Sequence, residues 1–271
     1  MSFVSMMLES SISLSGVGIH TGQHGRVTVH PEESGGIRFI VKGVAIPALA
    51  SFVAGTSRCT RLARNDASVD TVEHLLSALC VMGIRNASIE VEGPEIPILD
   101  GSALPWVTAL RSAGLKKILE PVDYLSLNKP AAFLLDDSWY IAEPADSYQL
   151  CVVTHFDHPM LGIQTLIFDG DPARYEHEIA PARTFAREQE INALRAAGMA
   201  LGGSLDNALI LYPDRLSDLE RVPQECCAHK MLDLIGDLSL IGAVPLVHIT
   251  AIRPGHRANT AFANCLRARL V

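Results

Sequence analysis

The stretch Ala228-His-Lys-Met-Leu-Asp-Leu-Ile-Gly-Asp-Leu238 carries a polar side chain every fourth residue, at His229, Asp233 and Asp237, inside an otherwise apolar run. Residues four apart on a helix lie one above the other, so this spacing predicts a helix on which an imidazole and a carboxylate close on one point. A polar stripe facing solvent would show the same spacing. Met231, Leu232, Leu234, Ile235, Leu238, Leu240 and Ile241 cover much more than one stripe, however, which predicts a largely buried helix with functional polar residues. A metal ion is the natural occupant of the point, since a lone buried carboxylate is costly. Asp237, one turn on, is placed to orient a ligand.

A second helix is predicted over Thr71 to Met82, with Val72, Leu75, Leu76 and Leu79 at helical spacing and Asp70 or Thr71 placed to cap it. Glu73 and His74 lie in its first turn, about 100° apart, so one can bind an ion while the other stands beside the bound water. An exposed first turn, with Glu73 favoured by the helix dipole, explains Glu73 well and His74 poorly.

Around these helices the chain reads as strands. Ser11 to Val17, Gly25 to His30 and Gly36 to Val41 predict an antiparallel meander, and Ala87 to Glu92 a further strand before a helix at about Leu104 to Ala113. The loop Gly16-Val-Gly-Ile-His-Thr-Gly22 has GxGxxxG spacing and leads into a strand, so it is not a dinucleotide-binding loop. His20 within it reads equally well as a site residue or as an exposed loop histidine. Near Leu119 to Tyr124 the layout restarts, with strands at Tyr124 to Leu127, Ala131 to Leu135, Trp139 to Glu143 and Leu150 to Phe156. A helix at about Ala186 to Ala197 stops at Gly198, a strand follows at Asn207 to Leu211, and a last strand at Val247 to Arg253 precedes a helix from about Ala258 to Arg269. The expectation is an α+β fold of two similar domains, 1–122 and 123–271, each a mainly antiparallel sheet packed with two helices, with the active site between them.

Composition narrows the function classes. The 271 residues, 48% hydrophobic and 19% charged, suit an ordinary globular protein. No apolar run of about 18 residues exists to span a membrane, and the N-terminus lacks a basic start and long apolar stretch, so a cytoplasmic location is expected. A net charge of -8 argues against nucleic acid as a partner. The six cysteines show no Cys-x-x-Cys pair and read as reduced core thiols. Cys226 and Cys227, just before His229, are a weaker candidate pair of soft zinc ligands.

Taken together, Ser15-Gly-Val-Gly-Ile-His-Thr-Gly22, Thr71-Val-Glu-His74, Pro94-Glu-Ile-Pro-Ile-Leu-Asp-Gly-Ser102, Phe156-Asp-His-Pro159, Ala182-Arg-Thr-Phe185, Leu201-Gly-Gly-Ser204, His229-Lys-Met-Leu-Asp233 and Gly255-His256 form an ordered series of blocks running nearly end to end. In these blocks the chain resembles the UDP-3-O-acyl-N-acetylglucosamine deacetylases, the zinc hydrolases of lipid A biosynthesis. The resemblance implies Zn2+ held by His74, His229 and Asp233 with the fourth position left for water, although iron can share such a ligand set. It implies Glu73 as general base and His256 as the cation that stabilises the oxyanion and protonates the departing amine. Thr184 would donate to the same oxyanion, Lys230 would add positive charge, and Asp237 would hold His256 charged.

For the substrate, a UDP-linked acylated amino sugar, the resemblance implies contacts from Ile19, Phe185, Gly203 and Arg253, the last toward the diphosphate together with the Phe156 to Pro159 turn. It also implies an acyl-chain insert in the second half, for which Met160 to Phe168 with Phe185 supplies apolar walls. The segment Asp136 to Tyr140 lacks the lysine that relatives can show there. A monomer is expected. Two alternatives stand beside this reading: a paralogous deacetylase acting on a different N-acetylated sugar, and a non-catalytic binding module of the same fold.

Overall fold

The computed structural model describes residues 5–118 and 124–269. Its first half runs β1 (Met6–Leu8), β2 (Ile12–Val17), β3 (His24–Pro31), β4 (Ile37–Val41), β5 (Val44–Pro47), β6 (Val53–Gly55), β7 (Arg61–Arg64) and β8 (Ala67–Val69), then α1 (Glu73–Val81), β9 (Ala87–Glu92), α2 (Leu104–Ser112) and β10 (Leu115–Lys117). The second half continues with β11 (Tyr124–Ser126), β12 (Ala131–Leu135), β13 (Ser138–Pro144), β14 (Gln149–Phe156) and β15 (Gly162–Phe168). A short α3 (Pro172–Arg174) runs into a π-helical turn at Tyr175–Ile179, followed by β16 (Phe185–Arg187), α4 (Glu188–Ala196), β17 (Leu209–Leu211), α5 (Glu225–Ser239), β18 (Val244–Ile252) and α6 (His256–Arg267).

The fold is α+β, with mainly antiparallel sheets. The first large sheet has the strand order β2-β3-β9-β4-β5 and the second β12-β13-β18-β14-β15, with β11 added beside β18. Each therefore consists of two hairpins with a late strand slotted between them, antiparallel to one neighbour and parallel to the other. That insertion corrects the expected meander: β3 and β4 follow one another in the chain but are separated by β9. The proposed boundary at 122 lies outside the described residues.

Alternation sets the inward face of each sheet. In β9, Ala87, Ile89 and Val91 are buried while Glu90 and Glu92 are exposed; in β13, Ser138, Tyr140 and Ala142 are buried while Trp139, Ile141 and Glu143 are exposed. One hydrophobic core continues from the first half into the second, and α1 and α5 pack together within it through Leu75, Leu76, Leu79, Leu232 and Ile235. Their approach is so close at Gly236 that a Cβ there would stand 2.1 Å from the Glu73 carbonyl oxygen. Only glycine permits this contact, and it brings the first turn of α1 against the middle of α5.

Candidate functional site

Each helix that carries site residues is entered through a non-glycine residue in the left-handed region: Thr71 at φ 60° before α1, Gln224 at 56° before α5 and Arg253 at 54° before α6. Such conformations are uncommon and gather where structure over-determines the backbone. The expected caps of α1 are corrected here. Val72 is the N-cap residue, and no side chain caps it. Asp70 is instead taken by Arg61, and the Thr71 hydroxyl donates to Glu95 Oε1 at 2.9 Å.

At the junction of α1 and α5, one potential ligand atom from each of His74, His229 and Asp233 lies within 4.8 Å of the others, and all three residues are buried. Asp233 Oδ1 is 3.4 Å from His229 Nε2 and 3.9 Å from His74 Nε2. It is fully buried and has no hydrogen-bond partner among the described residues, whereas Oδ2 accepts from Lys230 Nζ at 2.9 Å. An orphaned carboxylate oxygen facing two imidazoles is what a divalent cation would satisfy. Protonation fits as well. Burial and neighbouring His229 push His74 down to about 3, and burial and Lys230 lower His229, so both rings are neutral. Burial would raise Asp233, but Lys230 and the charged His256 hold it well below the usual carboxylate range. These are the ligating forms. His229 Nδ1 hydrogen-bonds the Ala182 carbonyl at 3.0 Å, which fixes the ring with Nε2 toward the cluster.

Glu73 stands beside the cluster. Its Oε2 accepts the Thr60 backbone N–H at 3.0 Å, and its Oε1 is 3.8 Å from His256 Nε2. Burial, with Asp237 and Asp233, pushes the Glu73 carboxyl above its ordinary range against the pull of His256. His256 opens α6, where burial and the helix dipole oppose its charge. Asp237, Asp233 and Glu73 outweigh the burial and push the imidazole up to about 9. Asp237 Oδ2 accepts from His256 Nδ1 at 2.9 Å. Asp237 thus contacts His256 and neither imidazole of the cluster, where Ala182 holds His229 and Lys230 holds Asp233.

A cavity of about 440 Å³ opens from this cluster. Glu73, His74, Thr184, Ile19, Phe185 and Gly203 line it, and His20 does too. Its far walls come from Ile191 and Leu194 of α4 and from Leu205, Ala208 and Ile210. Two sequence expectations are not met in this geometry. Met160 to Phe168 runs from the turn before β15 through that outer strand of the second sheet, and none of it lines the cavity. The insert that walls the cavity is β16–α4–β17 with the loop between. Arg253 also lies off the cavity wall, paired with Asp137 at 2.9 Å on the β12–β13 hairpin.

Several supporting residues carry no obvious sequence signal. Thr60 is buried between Glu73 and Asp237. Glu95 accepts from His20 N–H at 3.0 Å, Thr21 N–H at 2.8 Å and Thr71 Oγ1 at 2.9 Å, pinning the Gly16 to Gly22 loop to the entry of α1. Its one available signal is an acid inside the apolar run Pro94 to Ile98. Arg183 and Glu225 form a buried pair, Nε to Oε1 at 2.9 Å, that fixes the segment presenting the Ala182 carbonyl and Thr184.

The family described as UDP-3-O-acyl N-acetylglycosamine deacetylase matches the chain over residues 6–268. A UDP-3-O-acyl-N-acetylglucosamine deacetylase of Myxococcus xanthus (strain DK1622) is 39% identical over 263 residues, 93% of this chain and 82% of the relative. The protein of that name from Leptospira biflexa serovar Patoc is 34% identical over 270 residues, covering 97% and 89%. The one from Nostoc sp. (strain PCC 7120) is 38% identical over 273 residues, covering 96% and 97%.

Proposed function

The chain belongs to the UDP-3-O-acyl N-acetylglycosamine deacetylase family, and from that premise we propose that it is a zinc-dependent amidohydrolase. Its reaction is removal of the acetyl group of UDP-3-O-acyl-N-acetylglucosamine as acetate, the committed step of lipid A biosynthesis. The observation that carries the reading is the meeting of α1, α5 and α6. Two neutral imidazoles and a carboxylate with an orphaned oxygen stand beside a second carboxylate and an imidazolium that face each other at 3.8 Å.

His74, His229 and Asp233 would hold zinc, which when bound would supply a Lewis acid for the amide carbonyl and a water of pKa about 7. The protein does the rest. Glu73, buried and raised, takes the proton of the attacking water through Oε1 while the Thr60 amide holds Oε2. His256, charged at neutral pH, stabilises the developing oxyanion and passes the proton on its Nε2 to the departing nitrogen, which otherwise leaves as an unstable anion. Thr184 lines the cavity where its hydroxyl can donate to the same oxygen, and Lys230 adds positive charge through Asp233. Because Glu73 starts as base and His256 as acid, one proton is taken from the water and one is given to the departing nitrogen.

The acyl chain is assigned to the apolar cavity, against Phe185, Ile19 and the α4 insert, with Gly203 in its wall. Arg253 is assigned to the diphosphate, reached by release from Asp137. No described helix is long and apolar enough to cross a membrane. We take the enzyme to be cytoplasmic and monomeric, acting on a nucleotide-linked substrate. Acetate release from the acylated UDP-sugar, compared with the unacylated UDP-N-acetylglucosamine, tests the reading. Turnover should depend on the acyl chain. Equal rates would favour a deacetylase of another sugar, and no acetate from either would leave only a binding module.

A further inference from the structure

Thr60 uses all three of its polar groups at the junction of α1 and α5. Its backbone N–H donates to Glu73 Oε2 at 3.0 Å, its carbonyl accepts from Val72 N–H at the start of α1 at 3.4 Å, and its hydroxyl meets Asp237 Oδ1 at 2.5 Å. The residue is fully buried. A hydroxyl has one proton to give, and a carboxylate can only accept, so that proton goes to Asp237. The longer contact of the hydroxyl to His256 Nδ1, 3.5 Å, leaves the ring proton free for Asp237 Oδ2 at 2.9 Å.

The opposite side of Asp237 is fixed by a second chain of donors. Tyr140 OH contacts Asn259 Oδ1 at 2.5 Å, and a phenol facing an amide oxygen must donate. This orients the amide, so Asn259 Nδ2 donates to Asp237 Oδ2 at 2.8 Å. The terminal torsion of an aspartate is broad and would otherwise let the carboxylate turn. With Thr60 on one oxygen and Asn259 on the other, a single setting satisfies every donor. In that setting His256 donates through Nδ1, and its Nε2 is presented to Glu73 Oε1 at 3.8 Å and Asp233 Oδ2 at 3.9 Å.

We propose that Thr60 is a positioning residue of the reaction, holding base and acid in one register by giving its main-chain N–H to Glu73 and its hydroxyl to Asp237. The inference rests on the roles assigned above to Glu73 and His256. Its two halves can be separated by mutation, because only the hydroxyl depends on the side chain.

The test is Thr60→Val, which keeps the branched shape and the backbone donor but removes the hydroxyl, against Thr60→Ser, which restores it. Both are made as zinc-loaded protein, with zinc content and thermal midpoint measured alongside. Thr60→Val should lose about 10- to 100-fold in kcat, the range seen when outer partners of a site are removed. KM should move by less than about twofold, since the lost contact serves the reacting state. Thr60→Ser should stay within about threefold of wild type in kcat. A second readout needs no turnover: the Nδ1 proton resonance of His256, assigned by its disappearance in His256→Gln, should persist in wild type and Thr60→Ser and exchange away in Thr60→Val. Should the valine variant not fold, Thr60→Ala also lacks the hydroxyl and is judged by the same measurements. Near-wild-type kcat without the hydroxyl, equal losses in the serine and valine variants, or a retained ring proton in Thr60→Val would each overturn the proposal. A protein that released no acetate at all would defeat the hydrolase reading, and the ring-proton comparison would still decide the role of Thr60.

Discussion

The two helices that meet at the site deploy their side chains differently. α5 spaces His229, Asp233 and Asp237 four residues apart, so one buried face carries two of the proposed ligands and the partner of His256. α1 sets Glu73 and His74 side by side, about 100° apart, so His74 turns to the cluster while Glu73 faces His256. Their supports differ too. The α5 groups are held by the Ala182 carbonyl, Lys230 and Asn259 of the second half, with the Thr60 hydroxyl of the first half added at Asp237, whereas the Glu73 side chain is held by the Thr60 amide. A periodic face is specified inside one helix. An adjacent pair works only if the whole helix is aimed, and Thr71 in its left-handed conformation with Gly236 opposite does the aiming. The contrast is between a frame that gathers ligands and a pivot that separates ligand from base.

Removing a group from each helix should break this contrast most visibly. Asp233→Ala, on the frame, should lose both metal and all measurable turnover, because two neutral imidazoles alone make a poor divalent site. Glu73→Gln, on the pivot, should keep stoichiometric zinc and lose about 10²- to 10⁴-fold in kcat, the usual worth of a general base. Metal analysis beside single-substrate kinetics separates the two. Zinc loss in the Glu73 variant would make Glu73 part of the frame, and the division between the helices would vanish.

A smaller effect is expected where frame and pivot exchange charge. Burial opposes the charge on His256, and Asp237 is the foremost of the carboxylates that overcome it. Asp237→Asn removes that contribution, so the imidazole pKa must fall. The alkaline limb of kcat/KM, which reports loss of the acid from free enzyme, should then move to lower pH, with kcat reduced about 10- to 100-fold. An unmoved limb would mean that some other group protonates the leaving nitrogen.

Much of this was legible from sequence because it is periodic or local. The i, i+4 spacing marks α5 as a helix with its polar groups on one face, alternation marks β9 at its observed bounds, and the strand reading of Ala131 to Leu135 coincides with β12. Pairing partners are not local, so nothing in Ala87 to Glu92 says that this strand slots between two earlier ones. Thr60 and Asn259 are neutral polar residues without a repeat, and their roles exist only once segments 177 residues apart, Thr60 and Asp237, have met. Glu95 and the Arg183–Glu225 pair are different, since charges in apolar surroundings are readable as needing partners even when the partners cannot be named. The cavity wall shows the opposite error. Met160 to Phe168 leads into and forms the outer strand β15, with Met160, Ile163 and Ile167 exposed, while the wall comes from α4, whose Ile191 and Leu194 form a thin apolar stripe on a polar helix.

The smallest expected effect concerns two residues on α5 that the frame does not use. Cys226 and Cys227 precede His229 on the same helix, and thiolates there would compete for the metal. Neither belongs to the ligand cluster. Burial, ahead of every other influence, pushes the Cys227 thiol up to about 12 and the Cys226 thiol higher still, so both are protonated at neutral pH. Cys226 instead packs in a small apolar cluster with Phe156, Leu161, Leu209 and Leu211, and Cys227 lies in the main core beside the Val152 carbonyl. Cys226→Ser should therefore leave zinc stoichiometry and kcat unchanged and cost about 1 kcal/mol of stability, a typical value for a core substitution of this size. Metal analysis with a denaturant midpoint decides it. A fall in zinc content without a fall in stability would place sulfur in the site and make the frame four residues instead of three.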